Sequence, residues 1–589
     1  MALLPDTTFD IYKRRMIPVL YDWFMHYHLT YPTQTCRWGP KVEDLGYKTK
    51  YRAYLSEQVV DGSKPDTLIL AHIDVLKPHV ASCEAVSNWR EKSQAPYVNI
   101  IKTVYHPGEV NKVREIPQHP EIVVTHTDSP QLYVWNMDRQ PDRRPQSAGL
   151  AAAAAKARSS RDRGGGGDKS GSEPDSTPDL VLVGHEDDAP FPLACSAGVP
   201  RVGSGGNDKL VLVWDLADQV TALASTSASA KHSELKSRYR LEGHTATVGD
   251  LVFQPRGKDV LISVADDGRV ITWDLRGGGG KGSSYMASQL QDAHGPGVNI
   301  MCVDWNPVDE NLLVTGAQDG VLQVWDRRRM SSRTDRLFAF EVHRKPTQSQ
   351  SDIIHVEWHP TCKDVFASGS EDHTIAIWDL SPSRLQAAEA AAAAAAKDGA
   401  AAAAATGEGV GGESGQQSSN GAVDGGIGGG GGGGEKDKEK SAPSRKRARN
   451  SGAKDGAAAA AGAGGKAGAA AGTEEIPPQL IFRHLGHRAG RVTDFQWSPA
   501  EPWTVISVSD NSVTDEYYPD GTLQVWRMMD LLYRPYEEAI AELEQHRDFI
   551  LRGVTPTATT TSSPTAKDKD KDTVKANQIS DVKQEAAAS

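Results

Sequence analysis

Short apolar strands that end in tryptophan recur along this chain. Apolar residues alternate with small or polar ones in each of them, a period of two that predicts β-strands. Most are preceded by a histidine, and a strand of small residues and an Asp-containing turn lie between, as in residues 367–379. The six tryptophans that close these strands are Trp135, Trp214, Trp273, Trp325, Trp378 and Trp526.

The spacing of the tryptophans indicates one repeating unit with long insertions. Trp273, Trp325 and Trp378 follow one another at intervals of 52 and 53 residues, not far above the roughly 40–45 residues of a WD40 unit. The longer intervals contain low-complexity stretches, which we expect to be disordered. Because every insertion follows a tryptophan strand on its way to the outer strand of the next blade, we expect all of them on one face and the histidine-marked face to stay open. The four insertions lie at about residues 142–177, 217–238, 276–290 and 382–473.

A closed ring needs a seventh unit, and residues 36–76 supply its strands. We therefore predict an all-β fold, a seven-bladed WD40 β-propeller within residues 35–550, with a strand near residues 36–39 completing the last blade. An N-terminal helix is predicted within residues 1–34, because apolar residues from Phe9 to Leu29 recur at helical spacing.

The C-terminal end is predicted to hold one more element. A short helix should follow Pro535 and run from Tyr536 to Leu551, because its apolar residues lie roughly on one face. The tail at residues 551–589 is rich in Thr, Lys and Asp, and we expect it to be disordered.

Composition excludes several classes of protein. The formal net charge of -12 favours basic partners and disfavours direct, sequence-specific binding to nucleic acid. No apolar run is long enough to span a bilayer, and the first ten residues do not resemble a secretory signal. The five cysteines are widely spaced and form no Cys-x-x-Cys pair, so we expect no disulfide framework, no metal and no cofactor.

Two patterns imitate catalytic motifs. His244, Ser263 and Asp267 have the residue types of a hydrolase triad, but the same trio recurs in the next repeats, for example at His343, Ser368 and Asp372. A recurring trio predicts structural hydrogen bonds, because a catalytic triad is a single constellation with an oxyanion hole. Residues 164–170 read GGGGDKS, and the aspartate there would repel phosphate. We therefore expect no enzymatic activity.

A basic run inside the last insertion indicates nuclear import. Arg445, Lys446, Arg447 and Arg449 follow one another in a Ser/Gly-rich setting. A solvated charge run is the alternative interpretation, but an exposed setting of this kind favours an import signal and a nuclear protein.

Several strings outside the repeat carry a family resemblance. PVLYDWF at residues 18–24, CRWGP at 36–40, HPGEVNKVREIPQ at 106–118, and EEIPPQLIF at 474–482 resemble the retinoblastoma-binding, MSI-type histone chaperones, most closely the plant-type flowering-time branch. The resemblance covers the chain except its insertions and tails. It implies an adaptor of histone deacetylase, Polycomb-type or chromatin-assembly complexes that acts in transcriptional repression.

The resemblance also implies two histone-binding surfaces. The first is a side groove for the first helix of histone H4, with an apolar base and an acidic rim, formed here by Val19, Leu20, Asp22, Glu474, Glu475 and Phe482. The second is an acidic open face for basic histone tails such as that of H3, with Glu109, Asn111, Asp188 and Asp352 at the matching positions. One position departs from the family pattern, because Gly249 stands where Val-Glu-Asp is typical.

A second hypothesis concerns ubiquitin ligases. The strings at residues 273–276 and 325–328 resemble the Trp-Asp-x-Arg motif with which substrate receptors dock on the propeller adaptor of cullin-4 ligases. The docking residues would be Arg276 and Arg328. The histone-binding adaptor and the ligase receptor can coexist in one protein.

Overall fold

The computed structural model describes the repeats and their flanks. The described residues are 6–144, 176–188, 191–224, 233–277, 285–341, 343, 351–382, 386, 477–488, 490–511, 520–534, 536–545 and 547. The predicted tail, the basic run and the Gly-rich string at 164–170 lie outside these residues, as do Glu474 and Glu475.

Twenty-nine strands in the described residues form seven sheets, so the seven-bladed propeller is confirmed. The first strand, β1, is Tyr21–Leu29. Blade 1 contains β2 (Cys36–Asp44), β3 (Lys48–Glu57), β4 (Thr67–Leu76) and β5 (Val98–Tyr105). Blade 2 contains β6 (Lys112–Ile116), β7 (His119–His126), β8 (Leu132–Asn136) and β9 (Leu180–Val183). Blade 3 contains β10 (Leu193–Cys195), β11 (Arg201–Gly205) and β12 (Leu210–Asp215), then, after β13 (Glu234–Lys236), its outer strand β14 (Tyr239–Glu242).

The remaining blades follow the same order from the innermost strand outward. Blade 4 contains β15 (Val248–Phe253), β16 (Val260–Ala265), β17 (Val270–Asp274) and β18 (Met286–Leu290). Blade 5 contains β19 (Ile300–Trp305), β20 (Leu312–Ala317), β21 (Val321–Asp326) and β22 (Arg336–Glu341). Blade 6 contains β23 (Ile353–Trp358), β24 (Val365–Ser370), β25 (Ile375–Asp379) and β26 (Leu480–His484). Blade 7 contains β27 (Arg491–Trp497), β28 (Thr504–Asp510) and β29 (Gly521–Met528), and β1 is its outer strand.

The ring closes differently from the prediction. Residues 21–29 are not helical, because β1 pairs antiparallel with β29 and so joins the N-terminal part of the chain to the last blade. The strand that begins at Cys36 instead pairs with β3 and starts blade 1. Closure by β1 covers the edge of β29, which would otherwise expose unpaired backbone groups.

The N-terminal helix is therefore shorter than predicted. It consists of an α-helical turn at Asp6–Ile11, a π-helical turn at Tyr12–Met16 and a last turn at Ile17–Leu20. The C-terminal helix begins at Tyr536, as predicted, and spans Tyr536–Gln545. The shorter helical elements are Cys83–Ser87, Val220–Ala224, Arg327–Arg329, Arg333–Asp335 and Asp530–Leu532.

Two predicted insertions hold regular structure. Within 217–238 lie the helix Val220–Ala224 and strand β13, which pairs in parallel with β9 and adds a fifth strand to blade 2. Within 276–290 lies β18, the outer strand of blade 4. All four insertions fall between the third and outer strands of one blade, rather than leading to the next blade as predicted.

Tryptophans fill the space between the blades. The six that close the repeats are at most 1% exposed, which is why a Trp recurs where two sheets pack face to face. All five cysteines are free, as their spacing predicts. No helix in the described part of the chain is long and apolar enough to cross a membrane.

Candidate functional site

The N-terminal helix has two apolar sides, and only one is covered. Phe9, Tyr12 and Ile17 are buried against blades 6 and 7. On the other side, Ile11 is 55% exposed, Met16 45% and Val19 65%. We call Ile11, Met16 and Val19 the exposed row. Apolar side chains exposed together on one helix mark a surface that a partner can cover.

The π-helical turn explains why the sequence misplaced Met16. Helical periodicity puts Met16 in the buried stripe, yet Ile17 is fully buried and Met16 points outward. Hydrogen bonds from residue i to i+5 place one more residue in that turn. The side chains that follow are rotated by one position, so the buried stripe passes from Met16 to Ile17.

A chain of buried hydroxyl groups anchors the covered side. The Tyr12 and Tyr21 hydroxyl oxygens are 2.9 Å apart, and the Tyr21 hydroxyl lies 2.8 Å from Nδ1 of His484 on β26. His484 also stacks on Trp526 at 4.3 Å between ring centroids. Burial raises the pKa of Tyr12 to about 12 and lowers the pKa of His484 to about 3. The anchor is therefore uncharged near neutral pH.

Two residues predicted in the side groove support it from behind. Phe482 is 5% exposed and packs edge-on against Tyr21 at 5.3 Å. Leu20 is half-buried against the same core, and its carbonyl accepts a hydrogen bond from the Met529 amide. Of the predicted groove residues within the described structure, Val19 is the one that faces outward.

Asp22 has a structural position rather than an outward one. It is 8% exposed, and its carboxylate lies 2.6 Å from Nε of Arg527 on β29. It also accepts a hydrogen bond from the backbone N–H of His79 at 2.8 Å. Asp22 therefore ties β1 to the last blade and to the loop after β4. Its place in a partner-binding rim, expected from the sequence, is not what the structure has.

The open-face residues lie in equivalent connections. Glu109 and Asn111 precede the innermost strand of blade 2, Asp188 precedes that of blade 3, and Asp352 precedes that of blade 6. Asn111 is 6% exposed, and its amide donates to Asp128 at 2.7 Å, so it orders its own loop. Glu109, Asp188 and Asp352 are half-buried.

Gly249 departs from the family pattern for a steric reason. It sits in a bulge of β15, between the paired residues Val248 and Asp250. A Cβ atom at Gly249 would lie 2.6 Å from the backbone oxygen of Ile300 on the neighbouring inner strand. Blades 4 and 5 approach so closely here that a side chain cannot fit without movement of the backbone.

The inner strands carry a ring of acidic groups that sequence reasoning missed. Carboxylates of Asp250, Asp304 and Glu357 each accept a hydrogen bond from a backbone N–H of the next blade, at 3.1, 2.7 and 2.9 Å. Asp494 continues the ring to the amide of Cys36 in blade 1, at 3.3 Å. The signal was present, since each acid follows the start of an inner strand at a similar offset.

The acids of this ring have very different proton affinities. Burial raises the pKa of Asp304 to about 7 and the pKa of Glu357 to about 8. Burial also acts to raise the pKa of Asp494, but Lys112 and Arg114 lie 3.7 and 3.6 Å from its carboxylate and hold that pKa below its usual range. Asp494 is therefore the charged member of the ring at neutral pH.

The two Trp-Asp-x-Arg arginines are held and exposed. Arg276 lies 2.6 Å from Asp274, and Arg328 lies 2.7 Å from Asp326, each through two parallel hydrogen bonds. Their side chains are 69% and 66% exposed. The aspartate of the motif thus fixes the direction of each guanidinium while its remaining donors face solvent.

The imitation of a hydrolase triad is a recurring structural unit, as predicted. His244 Nε2 lies 2.7 Å from Ser263 Oγ, which also accepts a hydrogen bond from the Trp273 indole at 2.8 Å. His343, Ser368 and Trp378 repeat this arrangement at 2.8 and 3.0 Å. The hydroxyl of each serine is thus engaged in holding a tryptophan. No group of three or more metal-ligating side chains occurs among the residues the structure describes.

A WD40 propeller with a helix packed on its closing blade is the class of protein that this geometry defines. A family profile for the histone-binding protein RBBP4 and its counterpart in the CAF1 complex matches residues 9–77. The profile of the WD domain, G-beta repeat, matches residues 235–274, 287–326, 337–379 and 478–527.

The comparison with curated proteins is more particular. The chain is 33% identical over 552 residues to WD-40 repeat-containing protein MSI4 of Arabidopsis thaliana, covering 91% of this chain and 84% of that protein. The chain belongs to the MSI/RBBP4-type family of WD40 proteins, which confirms the resemblance drawn from its sequence.

Proposed function

We propose that this protein is a non-enzymatic, nuclear, histone-binding adaptor of chromatin-modifying or chromatin-assembly complexes, and that it acts in transcriptional repression. The observation that carries the proposal is the exposed row on the N-terminal helix, within the stretch that the histone-binding family profile matches. Histone deacetylase, Polycomb-type and chromatin-assembly complexes are the proposed settings.

The exposed row supports docking of an amphipathic helix. A partner helix inserts apolar side chains at spacings of three and four residues, and the exposed row offers three apolar side chains along one helix face. The first helix of histone H4 is the proposed occupant. Glu474 and Glu475, just before Pro477 at the start of β26, would supply the acidic rim for its basic side chains.

Binding to histone H4 tests this proposal. We expect Val19→Glu or Ile11→Glu to weaken binding of an H4 first-helix peptide at least tenfold, because a carboxylate replaces an apolar contact. Changing both Glu474 and Glu475 to Lys should nearly abolish binding, because like charges then face the basic helix. Val60→Glu is the matched control, since Val60 is 51% exposed in blade 1.

Isothermal titration calorimetry with the purified chain is the measurement. Parental affinity in Val19→Glu and in the double Glu→Lys variant would show that this edge is not the H4 site. Equal losses in Val60→Glu would show instead that added charge, rather than this edge, disturbs binding.

The open face is proposed to hold the basic tail of histone H3. Glu109, Asp188 and Asp352 supply acidic groups in equivalent connections of three blades. Exposed ion pairs are worth only about 0.2–1 kcal/mol each, so the effect of one residue is modest. Glu109→Lys should weaken binding of an unmodified H3 N-terminal peptide, more at low salt than at high salt. Glu84→Lys, an exposed change in the helix after β4, should leave it unchanged.

A second candidate function is substrate receptor of a cullin-4 ubiquitin ligase. The observation that favours it is the pair of exposed, aspartate-held arginines on neighbouring blades, Arg276 and Arg328. We expect the double change to Ala to abolish capture of the purified ligase adaptor and to preserve histone binding. Undiminished capture by the double variant would rule out this docking mode.

A further inference from the structure

The connection between β21 and β22 carries a pattern that the proposed function does not use. Residues 327–335 read RRRMSSRTD, and Arg-Arg-x-Ser occurs in the chain only at residues 328–331. Arg328, Arg329 and Ser331 are all exposed in this connection. Two guanidinium groups therefore stand two and three residues before an accessible hydroxyl group.

Ser331 is held by a single carboxylate oxygen. Its hydroxyl donates to Oδ2 of Asp335 at 2.7 Å, and the same oxygen accepts the backbone N–H groups of Ser331 and Ser332 at 3.1 and 2.8 Å. These hydrogen bonds, first of all the one from the Ser331 hydroxyl, hold the pKa of Asp335 below its usual range. The turn is thus closed by one charged acceptor at the surface.

The surroundings of Ser331 suit an enzyme that recognises charge. Arginine forms paired hydrogen bonds with carboxylates, so an acidic groove can bind Arg328 and Arg329 together and present the hydroxyl two residues beyond. Exposed connections open at low free-energy cost, which lets such a groove draw the segment into an extended form. Met330, between the arginines and the serine, is half-buried and is the anchor that must be released.

We propose that Ser331 is a phosphorylation site for an arginine-directed protein kinase, and that its phosphate opens the turn closed by Asp335. In the reaction, Ser331 Oγ forms a bond to the γ-phosphorus of ATP, the bond from that phosphorus to the bridging oxygen of ADP breaks, and the hydroxyl proton is released. The products are phosphoserine and ADP.

The charge change explains the opening. A phosphoserine carries about -1.5 to -2 charges near pH 7, and it would stand where the hydroxyl now donates to Asp335. Repulsion replaces that hydrogen bond, and the phosphate needs a cation. Arg328 is three residues away, at most about 11 Å between Cα atoms, and can leave Asp326 to pair with it.

Phosphorylation of the full-length chain by the catalytic subunit of cAMP-dependent protein kinase, with magnesium and ATP, tests the assignment. Site-resolved mass spectrometry should find phosphate on Ser331 in the parent and in Ser332→Ala, and none on that position in Ser331→Ala. The double change of Arg328 and Arg329 to Ala should slow the modification at least tenfold. Arg333→Ala, a basic residue after the serine, is the matched control and should not slow it.

A second basic pattern provides an internal reference. Residues 344–347 read RKPT and lie outside the described structure. Phosphate on Thr347 with none on Ser331 would overturn the proposal, because the enzyme would then be active on the chain and pass this site by. An unchanged rate in the double arginine variant would overturn the recognition argument.

Hydrogen–deuterium exchange tests the opening separately. Amide exchange in peptides covering residues 327–336 should become at least tenfold faster after phosphorylation, because the Ser331 and Ser332 amides lose their acceptor. Unchanged exchange would show that the turn tolerates the phosphate. If the second candidate function holds, phosphorylation should also weaken adaptor capture through Arg328. Failure of the adaptor to bind the unmodified chain would count against that function and leave the phosphorylation result intact.

Discussion

An aspartate and an arginine form an ion pair at two places in this molecule, with opposite surroundings. The side chains of Arg527 and Asp22 are 3% and 7% exposed, whereas those of Arg328 and Asp326 are 66% and 12% exposed. The first pair joins residues 505 positions apart, and the second joins residues two positions apart. The same chemistry therefore closes the ring in one place and presents a guanidinium to solvent in the other.

The difference lies in what each pair costs and what it leaves available. Charges taken out of water stabilise a fold only if every hydrogen-bonding group finds a partner. Arg527 meets this demand by also donating to the Leu76 carbonyl and to Thr504 Oγ1. The exposed pair has little effect on stability in water, so its guanidinium can serve another molecule.

Removing one member of the buried pair should have the largest effect. Asp22→Ala leaves the Arg527 charge unpaired and the His79 amide without its acceptor, so we expect a loss of about 3–5 kcal/mol in the free energy of unfolding. Urea unfolding followed by tryptophan fluorescence measures it. A loss below about 1 kcal/mol would mean that ring closure does not depend on this pair.

Replacing both members should recover part of that loss. Asp22→Leu with Arg527→Met removes both charges and keeps apolar volume, so the deficit should fall to about 1–3 kcal/mol, the cost of leaving the His79 and Leu76 backbone groups unpaired. The same denaturation experiment decides. A double variant no more stable than Asp22→Ala would show that the side-chain shapes matter more than the charges.

The acidic ring of the inner strands adds a pH-dependent case to the comparison. The folded pKa of Glu357 is raised to about 8, so its contribution to stability is complete below its unfolded pKa and is lost as the pH rises toward 8. Glu357→Gln lacks this dependence. Relative to the parent, the variant should gain about 1–2 kcal/mol between pH 6 and pH 8. Unfolding free energies of both proteins that change in parallel over this range would contradict the assignment.

Removing the exposed arginine should have the smallest effect on stability. Arg328→Ala breaks a surface pair, so the free energy of unfolding should change by no more than about 0.5 kcal/mol. Thermal unfolding of the variant beside the parent is the measurement. A loss of several kcal/mol would mean that the Asp326 carboxylate needs its partner, and the contrast between the two pairs would then disappear.

How far the sequence reached can be seen at particular residues. The exposed Asp–Arg pairs are local, so Trp-Asp-x-Arg was enough to find them. The pair of Asp22 with Arg527 was not predicted, because no pattern links residues so far apart. Asp22 was instead assigned to a partner-binding rim, since a charge next to an apolar stripe usually faces solvent.

The N-terminal stretch shows the same limit. Apolar residues at 9, 12, 16, 20, 24 and 27 suit a helix, yet residues 21–29 form a strand because β29 offers an unpaired edge to that part of the chain. Residues buried on every side carry little periodicity of either kind. The choice between helix and strand was therefore made by the partner strand rather than by local preference.

By itself, the sequence determined the repeat, the seven blades, the family and the recurring His–Ser–Trp units, because each depends on residues close together or on a pattern that repeats. Only the tertiary structure decided which strand closes the ring, that Phe482 and Asp22 lie inside while Ile11, Met16 and Val19 lie outside, and that the inner-strand acids join neighbouring blades. These features depend on contacts between distant residues, and their free energy exists only once the whole ring has closed.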